Sequence, residues 1–191
     1  VHLTARVTDL NRSNHLTMKA EASELVFEPM WEYFHLSMPV LGELEHLDIT
    51  FEGTADRPTD WQGAATAKLK NLSYDSQVLG EVTLEMSAEH GLAQVALKNE
   101  FDNRNSLTVN AEGELPTTLE GFTRTRAKGQ VHLLAPETER LHLPEPLVGD
   151  LAATGDFTLA DGLLIANLMV TSQKLAAAEA ELTDTEFSLR L

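Results

Sequence analysis

Residues 77–101 read QVLGEVTLEMSAEHGLAQVALKNEF, two runs in which apolar and polar residues alternate, joined by a short polar break. The apolar positions in the phase shared by the two runs include Val82, Leu84, Met86, Val95 and Leu97. Because successive side chains of a strand point to opposite faces, a period of two predicts half-buried β-strands. The break, Glu89-His90-Gly91, predicts a hairpin turn, so the two strands are expected to be antiparallel neighbours.

The same alternation recurs along most of the chain. It is found over 1–7, 16–22, 47–51, 107–113, 127–133 and 147–159. Turn signals fall between the runs: Asp161-Gly162, the polar segment 102–105, and a longer loop over 56–60 that contains Pro58. The sequence therefore predicts a mainly β protein of about ten to twelve strands in a long antiparallel meander. We expect residues 1–191 to form a single β-rich segment.

Two segments depart from simple alternation. Apolar residues follow helical spacing at Phe27, Met30, Trp31, Phe34 and Met38. Pro29 suits a first turn and Pro39 ends the run, so a short helix is predicted at about 29–38. Its aromatic residues, including Tyr33, suggest either a helix packed over one end of the sheet, which we favour, or an anchor at a bilayer interface. The alanine-rich segment 173–182 has helix propensity but also alternates, and we predict a strand there.

The composition excludes several classes of function. Acidic residues outnumber basic ones 30 to 14, and the formal net charge of −16 repels phosphate backbones, so no nucleic-acid partner is expected. The absence of cysteine excludes thiol catalysis, thiolate metal sites and disulfides. The longest mostly apolar stretch, 162–170, is far shorter than a spanning helix requires. Because the chain begins with Val1, we expect it to be a piece of a longer protein, whose membrane anchor or export signal would lie elsewhere.

No constellation for catalysis, a cofactor or a metal stands out. The seven histidines are scattered, and no nucleophile elbow, phosphate loop or dinucleotide motif occurs. The densest polar group contains Glu43, Glu45, His46 and Asp48, which could in principle hold a divalent ion. Acids at alternating strand positions are typical of a solvated sheet face, so that interpretation is preferred. We predict a protein that is not an enzyme, with no cofactor and no metal.

The apolar phase of the strands is then the candidate functional feature. It could form the core of a closed β-sandwich or line a groove that is open to an apolar ligand. Only 6% of the residues are aromatic, and glycine and alanine interrupt the apolar phase, which favours a strongly curved sheet with a groove. The candidate groove-lining residues, each of which could equally be ordinary packing, are Phe51, Val82, Leu84, Val95, Leu97, Val109, Val131, Leu151, Phe157, Leu159 and Val170.

A short motif recurs at the start of three alternating runs: an aliphatic residue, glycine, an acid and another aliphatic residue. It reads LGEL at 41–44, LGEV at 79–82 and VGDL at 148–151. Glycine inside a strand costs stability, so Gly42, Gly80 and Gly149 predict a bend, a bulge or a close backbone approach. The acid is expected to face water and the aliphatic residues to face the groove. The 38- and 69-residue spacings also suggest a loose structural repeat.

This motif belongs to a wider resemblance. Over about 36–172 the chain resembles the AsmA-like superfamily of Gram-negative envelope proteins, the group that includes TamB and YdbH. The resemblance rests on the glycine-acid motif together with three short stretches: W-x-G-x-A at 61–65, KNLSY at 70–74 and GDFTLADG at 155–162.

The resemblance implies a β-sheet folded lengthwise like a taco, with an apolar inner face that shields phospholipid acyl chains during transport between the inner and outer membranes. It also implies a periplasmic location, a tether to the inner membrane through a segment not present in this chain, and neighbouring β-segments of the same long protein as partners. A different class of function is a structural or adaptor β-domain. Such a domain would assist outer-membrane protein assembly or bind an envelope protein by adding a strand at an exposed edge.

Overall fold

The computed structural model describes residues 2–8, 15–33, 40–75, 77–141, 147–160, 162–177 and 180–190. These residues form one antiparallel sheet. Its strands are β1 (His2–Thr8), β2 (His15–Val26), β3 (Val40–Thr54), β4 (Gln62–Tyr74), β5 (Gln77–Glu89), β6 (Leu92–Glu100), β7 (Ser106–Glu114), β8 (Ala127–Ala135), β9 (Leu147–Gly149), β10 (Leu151–Ala160), β11 (Leu163–Ala177) and β12 (Ala180–Arg190). The predicted mainly β class is confirmed, as is the number of strands.

The strands follow one another in the sheet in nearly the order of the sequence. The order is β1 to β8, then β10, β11 and β12, while the short β9 pairs with β11 beside the start of β10. Each strand is antiparallel to its neighbours, as the short turn signals predicted. Within the described ranges the two outermost strands, β1 and β12, pair on one side only, so the sheet is an open meander and not a closed barrel.

The described residues form essentially a single layer. Packing between strands is dominated by neighbours within the sheet, and helix α1 (Phe27–Tyr33) lies against β3. Among the described residues the buried apolar side chains are few, namely Ala20, Ala22, Leu44, Ala135, Ala166 and Val170. A sandwich core needs a second sheet across the first, so the closed-sandwich alternative is wrong for the part of the chain that is described.

The two irregular segments have different outcomes. Helix α1 begins at Phe27, two residues before the predicted start, and Pro29 lies in its first turn. The rest of the predicted helix, 34–38, lies outside the described residues, as does the side chain of Trp31, while Tyr33 is exposed. In the alanine-rich segment 173–182, the described residues 173–177 and 180–182 are confirmed as strand, in β11 and β12. Alternation there outweighed the helix propensity of alanine because residues 175–177 pair with β12 on one side and with β9 on the other.

A line of β-bulges crosses the sheet near one end of its strands. Register shifts occur between β3 and β4 around Gly42 and Glu45, and between β4 and β5 around Gly80. Asp150 separates β9 from β10 at the same end of the sheet, where the register with β11 also shifts. We call this feature the bulge line. A bulge adds one residue to one strand, bends that strand and increases its twist, so the sheet is bent along this line.

Candidate functional site

The alternation and the strand register together place one set of apolar side chains on one side of the sheet. Leu84 pairs with Leu97, Leu97 with Val109, and Val109 with Val131. Directly paired residues point to the same face, so each such row continues from strand to strand. The nine strands whose apolar side chains are described, β2 to β8, β10 and β11, make this apolar face about 40 Å long at about 4.8 Å spacing.

All eleven predicted groove residues lie on the apolar face. Val170 is buried, whereas the others are half-buried: Phe51, Val82, Leu84, Val95, Leu97, Val109, Val131, Leu151, Phe157 and Leu159. The structure therefore brings them together as one continuous surface. Their incomplete burial follows from the single-layer architecture, because within the described residues no second sheet packs across this face.

Side-chain size varies systematically across the apolar face. One row runs from Phe51 to Leu159 through five consecutive small residues, Gly63, Ala88, Ala93, Gly113 and Ala127. The row that contains Leu97 carries larger branched side chains on β5 to β8. In the row between, the ring of Phe157 lies against Gly129, where a Cβ atom would overlap it. The face is therefore lower near Gly63 and Gly113 than along the leucine and valine row.

An aromatic cluster lies at the end of the small-residue row. The rings of Phe51 and Trp61 meet edge to face at 5.4 Å between centroids, and the ring of Phe122 lies 5.7 Å from that of Trp61. The indole of Trp61 covers Gly53, and its Nε1–H donates to the carbonyl oxygen of Thr54 at 2.9 Å. Alternation predicts the position of Phe51, but no sequence signal indicates Phe122, which lies in a loop without apolar periodicity.

The three glycines of the repeated motif all have positive φ angles: +140° at Gly42, +75° at Gly80 and +136° at Gly149. A side chain at Gly80 or Gly149 would overlap a carbonyl oxygen of the neighbouring strand, and at Gly42 a Cβ would lie 3.0 Å from the oxygen of Lys70. Only glycine combines this backbone conformation with such close approach. The prediction of bulges and close backbone contacts at these positions is confirmed.

The acid of the third motif, Asp150, forms hydrogen bonds with the backbone of the neighbouring strand β11. The Asp150 carboxylate accepts hydrogen bonds from the backbone N–H groups of Gln173 (3.0 Å) and Lys174 (2.8 Å), and the Asp150 N–H donates to the carbonyl oxygen of Lys174. These backbone hydrogen bonds hold the pKa of Asp150 below its usual range. Asp150 is half-buried and occupies donors that the bulge would leave unpaired, so its carboxylate has a structural role in addition to the predicted exposure to water.

The opposite, polar face carries paired charges. Lys128 of β8 forms a 2.9 Å ion pair with Glu112 of β7, its direct cross-strand partner, and the hydrogen bond to that carboxylate raises the pKa of Lys128. Glu45 contacts both Lys68 and Lys70, and the hydrogen bonds from these lysines hold the pKa of Glu45 below its usual range. Glu45 belongs to the polar group that could in principle hold a divalent ion, but its carboxylate forms ion pairs with two lysines.

A depression of about 790 Å³ lies on the polar face, over β4 to β10. Its walls include polar-face residues from two rows: Thr66, Glu85, Ser87, Gln94, Asn110, Glu112, Lys128, Gln130, Asp156 and Thr158. Between these rows lie Met86, Val95, Ala111 and Phe157, whose side chains point to the opposite face, and Gly129. These five residues therefore present backbone to the depression. This depression is therefore not the groove that the sequence predicts on the apolar face.

A buried network of polar side chains connects two loops that lie beside the bulge line. The side chain of Asn105 is fully buried and donates to Asp102 at 3.2 Å and to the carbonyl oxygen of Glu137 at 2.9 Å. Arg104 forms an ion pair with Glu137. Thr138, also buried, donates to the carbonyl oxygen of Leu147 at 2.9 Å. These groups satisfy one another, so the network joins the β6–β7 loop to the segment before β9.

Within the described ranges, no group of three or more histidine or acidic side chains is placed to hold a metal ion. No helix in those ranges has the length and apolarity needed to cross a membrane. Comparisons with protein-family models, curated proteins and solved structures found no match.

Proposed function

We propose that this chain is a non-enzymatic segment of an AsmA-like envelope protein, and that its apolar face shields phospholipid acyl chains between the inner and outer membranes. The observation that carries the proposal is the continuity of the apolar face across nine paired strands of an open sheet, β2 to β8, β10 and β11. Contiguous apolar surface of this extent is unusual on a monomeric soluble domain and marks an interaction surface. The motif resemblance supplies the class of ligand.

The energetics support an apolar ligand of low specificity. Removing apolar surface from water is worth about 25 cal/mol per Å², so an acyl chain lying across several strands would gain several kcal/mol without any directed contact. The half-buried leucine and valine residues of β5 to β8 would be the main contact surface, with Leu84 and Leu97 at its centre. A face without buried charge admits different acyl chains equally, which suits a carrier of bulk phospholipid.

The polar face supports the same proposal from the other side. Its lysines are paired with acids, as in Lys128–Glu112 and Lys98–Glu100, and the formal net charge of the chain is −16. Such a surface stays in water and is repelled by anionic bilayers at long range. A sheet that is apolar on one face and acidic on the other could therefore hold lipid while it remains outside the membrane. A periplasmic segment that is tethered to the membrane elsewhere would require this property.

Photo-crosslinking from paired positions tests the proposal. A photoreactive residue at Leu84 or Leu97 is expected to label phospholipid when the protein is expressed in a Gram-negative host. The matched controls are Thr83 and Lys98, the adjacent residues of the same strands, whose side chains point to the polar face. Labelling from the first pair alone supports the proposal, whereas equal labelling from both pairs, or none from either, contradicts it.

A second candidate function follows from the open edges of the sheet. Among the residues that the structure describes, β1 and β12 each pair on one side only, so each offers unpaired backbone groups to a strand of an envelope protein or of a neighbouring β-segment. Outward-pointing N–H groups alternate along an edge strand, so one of Thr185 and Glu186 supplies such a group. Proline is substituted at each of these two positions in turn. At the position whose N–H points outward, it should abolish partner capture and leave the fold intact. Equal capture by both variants would contradict edge pairing at β12.

A further inference from the structure

We propose that residues 115–126, here called the strap, form a lid over one end of the apolar face, and that Phe122 is its latch on Trp61. This inference rests on the proposed function, since a lid matters only if the apolar face takes up lipid. It assigns a regulatory role to the connection between β7 and β8, which contains a 3-10 turn at Leu119–Arg124.

The position of Trp61 shows which side of the sheet the strap reaches. A Cβ atom on Gly53 would lie 2.8 Å from the indole Cδ1, and Gly53 has the same phase in β3 as Phe51. Phe51 belongs to the apolar face and contacts the same indole at 5.4 Å between ring centroids. Trp61 therefore lies on the apolar side, and the ring of Phe122, 5.7 Å from it, brings the strap to that side.

The strap spans several strands to make this contact. Phe122 lies in the β7–β8 connection and Trp61 in the β3–β4 connection, and both β5 and β6 lie between them in the sheet. On its way the strap passes the β5–β6 turn, where the N–H of Leu115 donates to the carbonyl oxygen of Gly91 at 2.7 Å. The strap thus borders the row of small residues at its Ala88 and Ala93 positions, which lie between Gly63 and Gly113.

The latch is weak enough to open. No residue of the 3-10 turn is buried, and Phe122 remains 41% exposed while it contacts Trp61. The backbone hydrogen bonds within the turn, from Gly121 to Thr118 and from Thr125 to Phe122, are local and would survive opening. Segments with few buried contacts open most readily. Opening would uncover the end of the apolar face without unpairing a strand, so the latch should control the rate of lipid exchange.

The experiment uses Trp61 as a built-in reporter. The chain has two tryptophans, so Trp31→Phe leaves Trp61 as the sole indole. The protein is mixed with phosphatidylethanolamine–phosphatidylglycerol vesicles whose acyl chains carry bromine, which quenches indole fluorescence on contact. In this background, Phe122→Ala is expected to speed quenching about three- to tenfold, the range expected for loss of one aromatic pair. Phe122→Tyr keeps the ring and should behave like the parent.

Leu119→Ala is the matched control, because Leu119 is an exposed apolar residue of the same turn and has no part in the ring contact. It should leave the quenching rate unchanged. Quenching at one rate in all variants would overturn the latch while leaving the proposed function intact. Lipid that co-purifies with the protein but never quenches Trp61 would also overturn it. No lipid by either measure would overturn the proposed function, and the latch with it.

Discussion

The two faces of the sheet are built from the same strands yet differ in both chemistry and shape. Leu84, Leu97 and Val109 line one side, while their sequence neighbours Thr83, Lys98 and Thr108 line the other. The apolar side carries half-buried aliphatic residues and an aromatic cluster at one end. The polar side carries ion pairs and a depression of about 790 Å³. Alternation sorts side chains between faces, but it does not decide where a ligand-sized depression forms.

The separation of the faces depends on register, because a slip of one residue would move every side chain to the wrong side. The bulge line holds that register, and Gly149→Ala should break it most severely. A methyl group there would overlap the carbonyl oxygen of Lys174 at a φ of +136°, so we expect a loss of about 3 kcal/mol in the free energy of unfolding.

Gly91→Ala is the control for that variant in urea unfolding. Gly91 also has a positive φ, +76°, but the nearest atom to its Cβ position, the oxygen of Thr59, is 3.9 Å away. Only backbone strain remains, so the cost should be about 1 kcal/mol. Equal losses for the two variants would show that close approach at the bulge contributes nothing.

A charge on the apolar face should reduce the amount of lipid that the protein binds. Leu97→Glu places a carboxylate where acyl chains are proposed to lie, and an unpaired charge against hydrocarbon is costly. We expect lipid recovery, measured by extraction and mass analysis of the purified protein, to fall about tenfold or more. Lys98→Glu changes the adjacent residue on the polar face and should leave recovery near the parent level. Similar losses of lipid recovery in both variants would contradict the claim that lipid binds to the apolar face and not to the polar face.

The acid at the bulge line should give a smaller, pH-dependent effect. Asp150 has a depressed pKa in the folded chain, so its contribution is fully present above the unfolded value of about 3.9 and is lost as pH falls through the folded value. Asp150→Asn should cost about 1 kcal/mol in the free energy of unfolding at pH 7, and this difference should shrink below about pH 4. A difference that stays constant with pH would contradict the role of the carboxylate.

The smallest effect is expected on the polar face. Glu112→Gln removes the ion-pair partner of Lys128, and both side chains are exposed. Exposed ion pairs contribute little to stability, so Tm should stay within experimental error at low and at high salt. A clear, salt-sensitive decrease in Tm would indicate that the paired charges of this face form a stabilising network.

Much of the fold could be read from periodicity and turn chemistry. Alternation predicted the strands and assigned all eleven candidate residues to one face, and Gly42, Gly80 and Gly149 marked the bulges because their strand-interior positions lacked another explanation. Three features could not be predicted: the side of the depression, the Asp150 hydrogen bonds and the Phe122–Trp61 contact. Each depends on how strands or loops distant in sequence approach one another, which neither local propensity nor a period of two specifies.

The central claim, that the apolar face holds phospholipid, is tested most directly by native mass spectrometry of gently purified protein. The account predicts a population heavier than the polypeptide by the mass of one or more phospholipids, present in the parent and in Lys98→Glu but depleted in Leu97→Glu. A spectrum of the parent protein that shows the bare polypeptide alone would contradict it.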